Sequence, residues 1–166
     1  MHRRIYLDFH PENDLSRVNQ LRSQLLGSAS EQAGFFDPKE YEQLLRQDKQ
    51  TIRRLVRERI ADTAVTLILI GTETAAQPFV QLGIEESIAN RNGFVGIHIH
   101  AMDDALGAPS PSGPQPILPA EIAFPCYVWD WDLDRLQQEI EAAGRRADRL
   151  RAWASAARPA GGSLPP

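Results

Sequence analysis

Apolar positions change their spacing several times along the chain, and each change marks an element. Residues 4–9 (Arg-Ile-Tyr-Leu-Asp-Phe) read as a strand, punctuated by Pro11 and Asn13-Asp14. Asp14 is placed to cap a helix beginning near Leu15, where Leu15, Val18, Leu21 and Leu25 recur at helical spacing until Gly27. Gly34-Phe35-Phe36 is a short second strand closed by Asp37-Pro38, followed by a loop or short helical turn through Arg46. From Asp48 the period is helical again, with Ile52, Leu55, Val56 and Ile60 on one face. Ala64 to Ile70 is almost wholly apolar and β-branched, the composition of a central parallel strand covered on both faces. A helix is predicted over about 77–90 with Val80, Ile84 and Ile88 on a stripe, then a strand from Phe94 to Ile99. Residues 101–120, rich in Pro, Gly, Ser and Ala, read as a long loop. Pro125 to Trp129 is a fifth, edge-like strand, and a last helix covers about 131–157. Strand–helix alternation of this kind implies a three-layer α/β domain, with about five mainly parallel strands and helices on both faces. Ligands of such sheets bind outside the carboxyl ends of the strands, so the loops after Phe9, Phe36, Ile70 and Ile99 are where chemistry is expected.

Composition narrows the class of function. The 166 residues suffice for one domain, expected over 1–157, with 158–166 carrying the composition of a disordered tail. A net charge of −4 gives no electrostatic reason to expect nucleic acid or an anionic membrane as partner. The single cysteine, Cys126, leaves no intrachain disulfide to form, which suits a reducing compartment. There is no secretory pattern at Met1-His2-Arg3-Arg4 and no apolar run of about 18 residues, so the expected location is the cytoplasm.

Four ordered segments carry a family resemblance. They are Tyr6-Leu7-Asp8-Phe9-His10 with Asp14 and Arg17-Val18-Asn19; Gly34-Phe35-Phe36-Asp37; Thr63 through Thr74; and Phe79 through Ile84 with Ser87-Ile88, Asn92-Gly93 and Gly96-Ile97-His98-Ile99-His100. In this order they resemble the TIR-like proteins of bacterial Thoeris antiphage defence, within the flavodoxin-like TIR group. The resemblance implies attack on NAD by a glutamate on the helix after the third strand. Cleavage of the nicotinamide–ribose bond then yields an ADP-ribose-type signal that switches on an effector protein. No tightly bound cofactor is implied, NAD being substrate, and a homo-oligomer or a TIR partner is a further possibility. An oxocarbenium-like transition state explains the need for a carboxylate near the ribose.

The chain departs from that pattern at three positions. Where the family has its catalytic glutamate stands Gly83; where it has tryptophan stands Phe79; and the small residue of the first strand, commonly serine, is Asp8. Two readings follow. In one, catalysis has moved to Glu86, which shares a helix face with Gly83, or to Asp8 from the opposite wall. In the other, the chain is a catalytically inactive TIR-like assembly or sensor module. In both, Phe9, His10, Asp37, Phe79 and Gly83 are the expected nucleotide-lining residues, by resemblance.

Other features have plainer readings. His98 and His100 alternate on one strand with Asp103 and Asp104 beyond, which suits hydrogen-bonded strand-end residues better than a metal site. Arg53, Arg54, Arg57 and Arg59 read as a solvated helix face. The last helix carries a seam of Leu133, Leu136, Ile140, Ala143, Ala147 and Leu150 that could pack on the sheet or self-associate.

Overall fold

A computed structural model describes residues 3–25 and 33–157. Five strands are present: β1 (Ile5–Asp8), β2 (Ala33–Gly34), β3 (Val65–Ile70), β4 (Gly93–His98) and β5 (Cys126–Val128). They form one sheet in the order β2-β1-β3-β4-β5, and every neighbouring pair is parallel. The helices are α1 (Leu15–Leu25), α2 (Pro38–Leu44), α3 (Lys49–Ile60), α4 (Pro78–Ala89) and α5 (Leu133–Ala156). This is the three-layer, flavodoxin-like arrangement read from the sequence, with its topological switch point between β1 and β3.

The two sheet faces are distinct. Ile5, Leu7 and Phe9 of the first strand region join Val18 and Leu21 of α1 and Leu136 and Ala143 of α5. Tyr6 faces the other way, with Phe36, Leu44 of α2 and Val56 and Ile60 of α3. Further along that second face, Ile68, Ile70 and Phe94 pack on Val80 and Ile84 of α4. β3 is buried along its whole length because helices cover both of its sides.

Boundaries differ from the expected ones where local backbone chemistry decides. The segment after Asp37 is a true helix: the Asp37 carboxylate accepts from the Glu40 amide at 2.8 Å and the Glu40 carboxylate from the Asp37 amide at 3.0 Å, a complete capping box with Pro38 at its first position. The last helix starts at Leu133 rather than near 131, because Trp131 has φ of 66°, outside the helical region, and Asp132 supplies the cap. β2 lies one to two residues earlier than expected, leaving Phe36 free to turn its ring into the core. The expected tail, 158–166, lies outside the described residues. Among the described residues no helix is long and apolar enough to cross a membrane.

Candidate functional site

Side chains alternate along β1, so Tyr6 and Asp8 point to the face covered by α3 and α4 while Leu7 points away. Asp8 ends the strand, beside Ile68 of β3. It is 1% exposed, and neither carboxyl oxygen has a hydrogen-bond partner among the described residues. Burial alone pushes its pKa well above the usual carboxylate range, since no cation lies close enough to oppose the loss of hydration. A carboxyl group in that setting holds its proton.

α4 passes over Asp8 at Gly83. A Cβ built on Gly83 would lie 2.8 Å from the Asp8 carboxyl carbon, closer than non-bonded carbons approach. The side chain missing from the helix is the space that the strand's carboxyl group occupies. A glycine inside a helix costs about 0.5–1 kcal/mol relative to alanine. The glycine leaves room for Asp8, so the cost of the glycine and the cost of burying an unpartnered carboxyl group fall at the same point of the fold.

Glu86 is one turn further along α4 and also buried, at 3% exposure, but its surroundings are opposite in kind. The Arg53 guanidinium donates to Oε1 at 2.6 Å and the Arg57 Nε donates to Oε2 at 2.8 Å. Burial pushes the Glu86 carboxyl up, but the hydrogen bonds from Arg57 and Arg53 outweigh it and hold the group below the usual carboxylate range. The expected catalytic candidate is thus the centre of an ion cluster joining α3 to α4, with both oxygens occupied. The arginine run read as a solvated face is largely committed: Arg53 also reaches Glu85 at 2.7 Å, and Arg59 donates to the Phe35 carbonyl, pairs with Glu40 at 3.1 Å and lies 4.3 Å over the Phe36 ring.

An aromatic group borders the Asp8–Gly83 contact. Phe79, one turn before Gly83, stands edge-on to Phe36 at 5.6 Å and to Tyr41 at 5.0 Å between centroids. Sequence reasoning missed Tyr41; the capping residues Asp37, Pro38 and Glu40, which start the helix that brings Tyr41 and Leu44 inward, were the available signal. A cavity of about 760 Å³ runs along β2 past the amino ends of β1 and β3, lined by Arg4, Gly34, Phe36, Asp37, Arg59 and Thr63 among others; Asp8, Phe79 and Gly83 do not line it.

The structure therefore brings Asp8, Gly83 and Phe79 together and leaves other expected residues apart. Phe9 is 3% exposed in the core on the opposite face of the sheet, with no free ring face to offer. His10 sits at the carboxyl edge, where Nδ1 accepts the Asn13 amide at 3.1 Å and stabilises the turn into α1. Asp37 is exposed and engaged as a helix cap next to Phe36. His98 and His100 stack edge-on at 6.1 Å, and among the described residues no group of three or more His, Cys, Asp or Glu has a metal-binding arrangement.

Two comparisons with known proteins bear on this geometry. Residues 6–104 match the family described as Thoeris protein ThsB, TIR-like domain. Over 118 residues the chain is 31% identical to the protein named "Putative cyclic ADP-D-ribose synthase ThsB1" from Bacillus cereus (strain MSX-D12). That match covers 70% of this chain and 62% of the length of that relative.

Proposed function

The chain belongs to the Thoeris ThsB family of TIR-like domains, and on that premise we propose that it engages NAD or an NAD-derived nucleotide in the cytoplasm, with Asp8 as the carboxyl group that meets the ribose. The observation that carries this reading is the buried Asp8 carboxyl beneath Gly83, without a hydrogen-bond partner among the described residues. An unpaired polar group in a core costs about 1–3 kcal/mol, and such costs persist where a ligand supplies the missing partner. Ribose hydroxyls are suitable partners, because they donate to a carboxylate and so favour its ionised form.

The relative's name specifies a cyclic ADP-D-ribose synthase. For that chemistry the bond between ribose and nicotinamide breaks, nicotinamide leaves with the bonding electron pair as a neutral base, positive charge develops on the ribosyl carbon, and a nucleophilic atom of the same nucleotide bonds that carbon to close the ring, with release of one proton. A carboxylate at Asp8 would stabilise that charge from the strand side, in place of one projecting from α4. Glu86 would serve the fold. The product nucleotide would reach an effector protein by diffusion, and a second copy or another TIR protein could complete the assembly.

Nicotinamide release from NAD tests this. Asp8→Asn is expected to lower release by about 100-fold, the usual scale for a lost acid–base or charge-stabilising group. Glu86→Gln is expected to retain activity at temperatures where it stays folded. Equal release by Asp8→Asn and the unaltered protein would remove Asp8 from the reaction. The second reading, an inactive assembly or sensor module, is favoured by one observation: both carboxyl groups are almost closed to solvent. It is distinguished by NAD binding, or binding to a TIR partner, without release of nicotinamide.

A further inference from the structure

The segment between β4 and β5 is not a free loop. Its first part crosses the carboxyl ends of the central strands and is fastened there. Arg17 of α1, only 3% exposed, directs its guanidinium into this strap: Nε donates to the Met102 carbonyl at 2.9 Å, and Nη2 to the Ser110 hydroxyl at 2.6 Å and the Ala108 carbonyl at 3.3 Å. The Thr72 hydroxyl donates to the Pro111 carbonyl at 2.6 Å. Gly113 lies so close to the loop after β3 that a Cβ there would sit 2.7 Å from the Thr72 carbonyl carbon. The Asp104 carboxylate accepts the Leu106 and Ala108 amides at 2.8 and 3.1 Å and folds the strap's tip, where Leu106 is 92% exposed.

The place covered is the β1/β3 switch point, formed by the loops after Phe9 and Ile70 and the start of α1. Open parallel sheets bind ligands there. A buried guanidinium at that point has one acidic partner, Asp14, at 3.3 Å, and the other Asp14 oxygen has none among the described residues. Its remaining hydrogen bonds go to two carbonyls and one hydroxyl of the strap, neutral acceptors set around a planar cation. Phosphate oxygens suit a guanidinium fork better, because they are charged and can be engaged in pairs.

We propose that Arg17 is a phosphate-binding residue masked by the strap of residues 102–113, whose carbonyl and hydroxyl oxygens occupy the guanidinium until the diphosphate of a nucleotide displaces them. The proposal rests on the nucleotide reading above and adds to it a named contact and a competing segment. It places the diphosphate over β1 and β3 and the ribose toward Asp8, on the α4 side of the same strand end. The strap competes with the ligand for Arg17, so loosening it raises affinity, whereas removing the guanidinium lowers affinity although it loosens the strap even more.

Two substitutions separate these effects. Thr72→Val removes one exposed fastening and leaves Arg17 intact; Arg17→Met removes the cation and keeps an apolar stem. Amide hydrogen exchange at residues 104–110 shows whether each variant is folded and has a loosened strap, and calorimetry measures binding of NAD and, separately, of inorganic pyrophosphate. The strap amides are expected to exchange faster than those of β3 in the unaltered protein, and faster still in both variants. Thr72→Val is expected to bind both probes about fivefold more tightly, the worth of one strap hydrogen bond that no longer has to be broken. Arg17→Met is expected to bind both at least tenfold more weakly than the unaltered protein. Tighter or unchanged binding by Arg17→Met, weaker binding by Thr72→Val, or a strap protected as fully as β3 would overturn the proposal. Failure of Thr72→Val to bind pyrophosphate would overturn it too. Pyrophosphate binding that depends on Arg17, without any binding of NAD, would retain the masked arginine and instead overturn the NAD reading.

Discussion

Asp8 and Glu86 are almost equally buried, one on the sheet and one on the helix that covers it, and their chemistry is opposite. Glu86 has two arginines from α3 on its oxygens and is held ionised. Asp8 has a glycine above it, no hydrogen-bond partner among the described residues, and a pKa pushed up by burial. Depth therefore does not decide what a carboxyl group does; its partners do. The partnered group joins two helices, with both of its oxygens engaged by arginines. The unpartnered one is a standing cost to the fold, which a ligand can relieve.

The sharpest way to break this contrast is to fill the space above Asp8. Gly83→Glu restores the residue type that the resemblance implies at this position, yet it is expected to destabilise the protein by about 3 kcal/mol, through overpacking and the meeting of two carboxyl groups. Combined with Asp8→Ser the loss is expected to shrink to less than half, so a double-mutant cycle in urea reads strong coupling. Additive effects would mean that the carboxyl group and the glycine do not share one space.

Removing Glu86 from its cluster comes next in size. Glu86→Gln is expected to cost about 1–2 kcal/mol at neutral pH, less than a fully buried ion pair because both arginines remain partly in water. Its pH dependence has a definite sign. The folded pKa lies below the unfolded value of about 4.3, so the contribution is present above that value and is lost as pH falls through the folded one. The substituted protein should therefore lose the corresponding part of its acid-induced destabilisation.

Asp8 predicts the reverse slope. Its folded pKa lies above the unfolded value of about 3.9, so the unfolded chain releases this proton first and stability falls as pH rises from there toward the folded value. Asp8→Asn, neutral at every pH, is expected to flatten that slope, so that its advantage over the unaltered protein grows in thermal melts as pH rises above about 4. Parallel curves for the two proteins would mean that Asp8 is ionised in the fold. Arg53→Met should have the smallest effect, because Arg57 stays on Glu86; urea unfolding is expected to shift by an amount near the error of the measurement.

The sequence made the scaffold readable and the wiring of the site less so. The strand expected over Ala64–Ile70 and the helices expected from Asp48 and over about 77–90 rest on interactions between residues a few positions apart, and the structure has them within a residue of where the pattern places them. The Asp37 segment was underestimated because a seven-residue helix shows too few turns for periodicity to register, although its capping residues were visible. Phe9 was expected at the nucleotide and is core, because residues next to each other at a strand end point to opposite faces, and only Asp8 points to the α4 side. The arginine run gave no sign of its use, since Arg53 and Arg57 meet Glu86 about thirty positions away across a helix–helix contact. The loop at 101–120 was marked by composition alone, which says nothing about the fastening of its first part to Arg17 and Thr72.

By itself the sequence determined the α/β alternation, the parallel sheet and the family, because these follow from local periodicity, capping chemistry and ordered motifs. Only the tertiary structure decided which carboxyl group is free and which is bound, and what lies over the switch point. Those outcomes depend on contacts such as Asp8 with Gly83 and Arg17 with Ser110, between residues far apart in the chain. Such contacts form only once the sheet has ordered its strands and the helices have settled on its two faces.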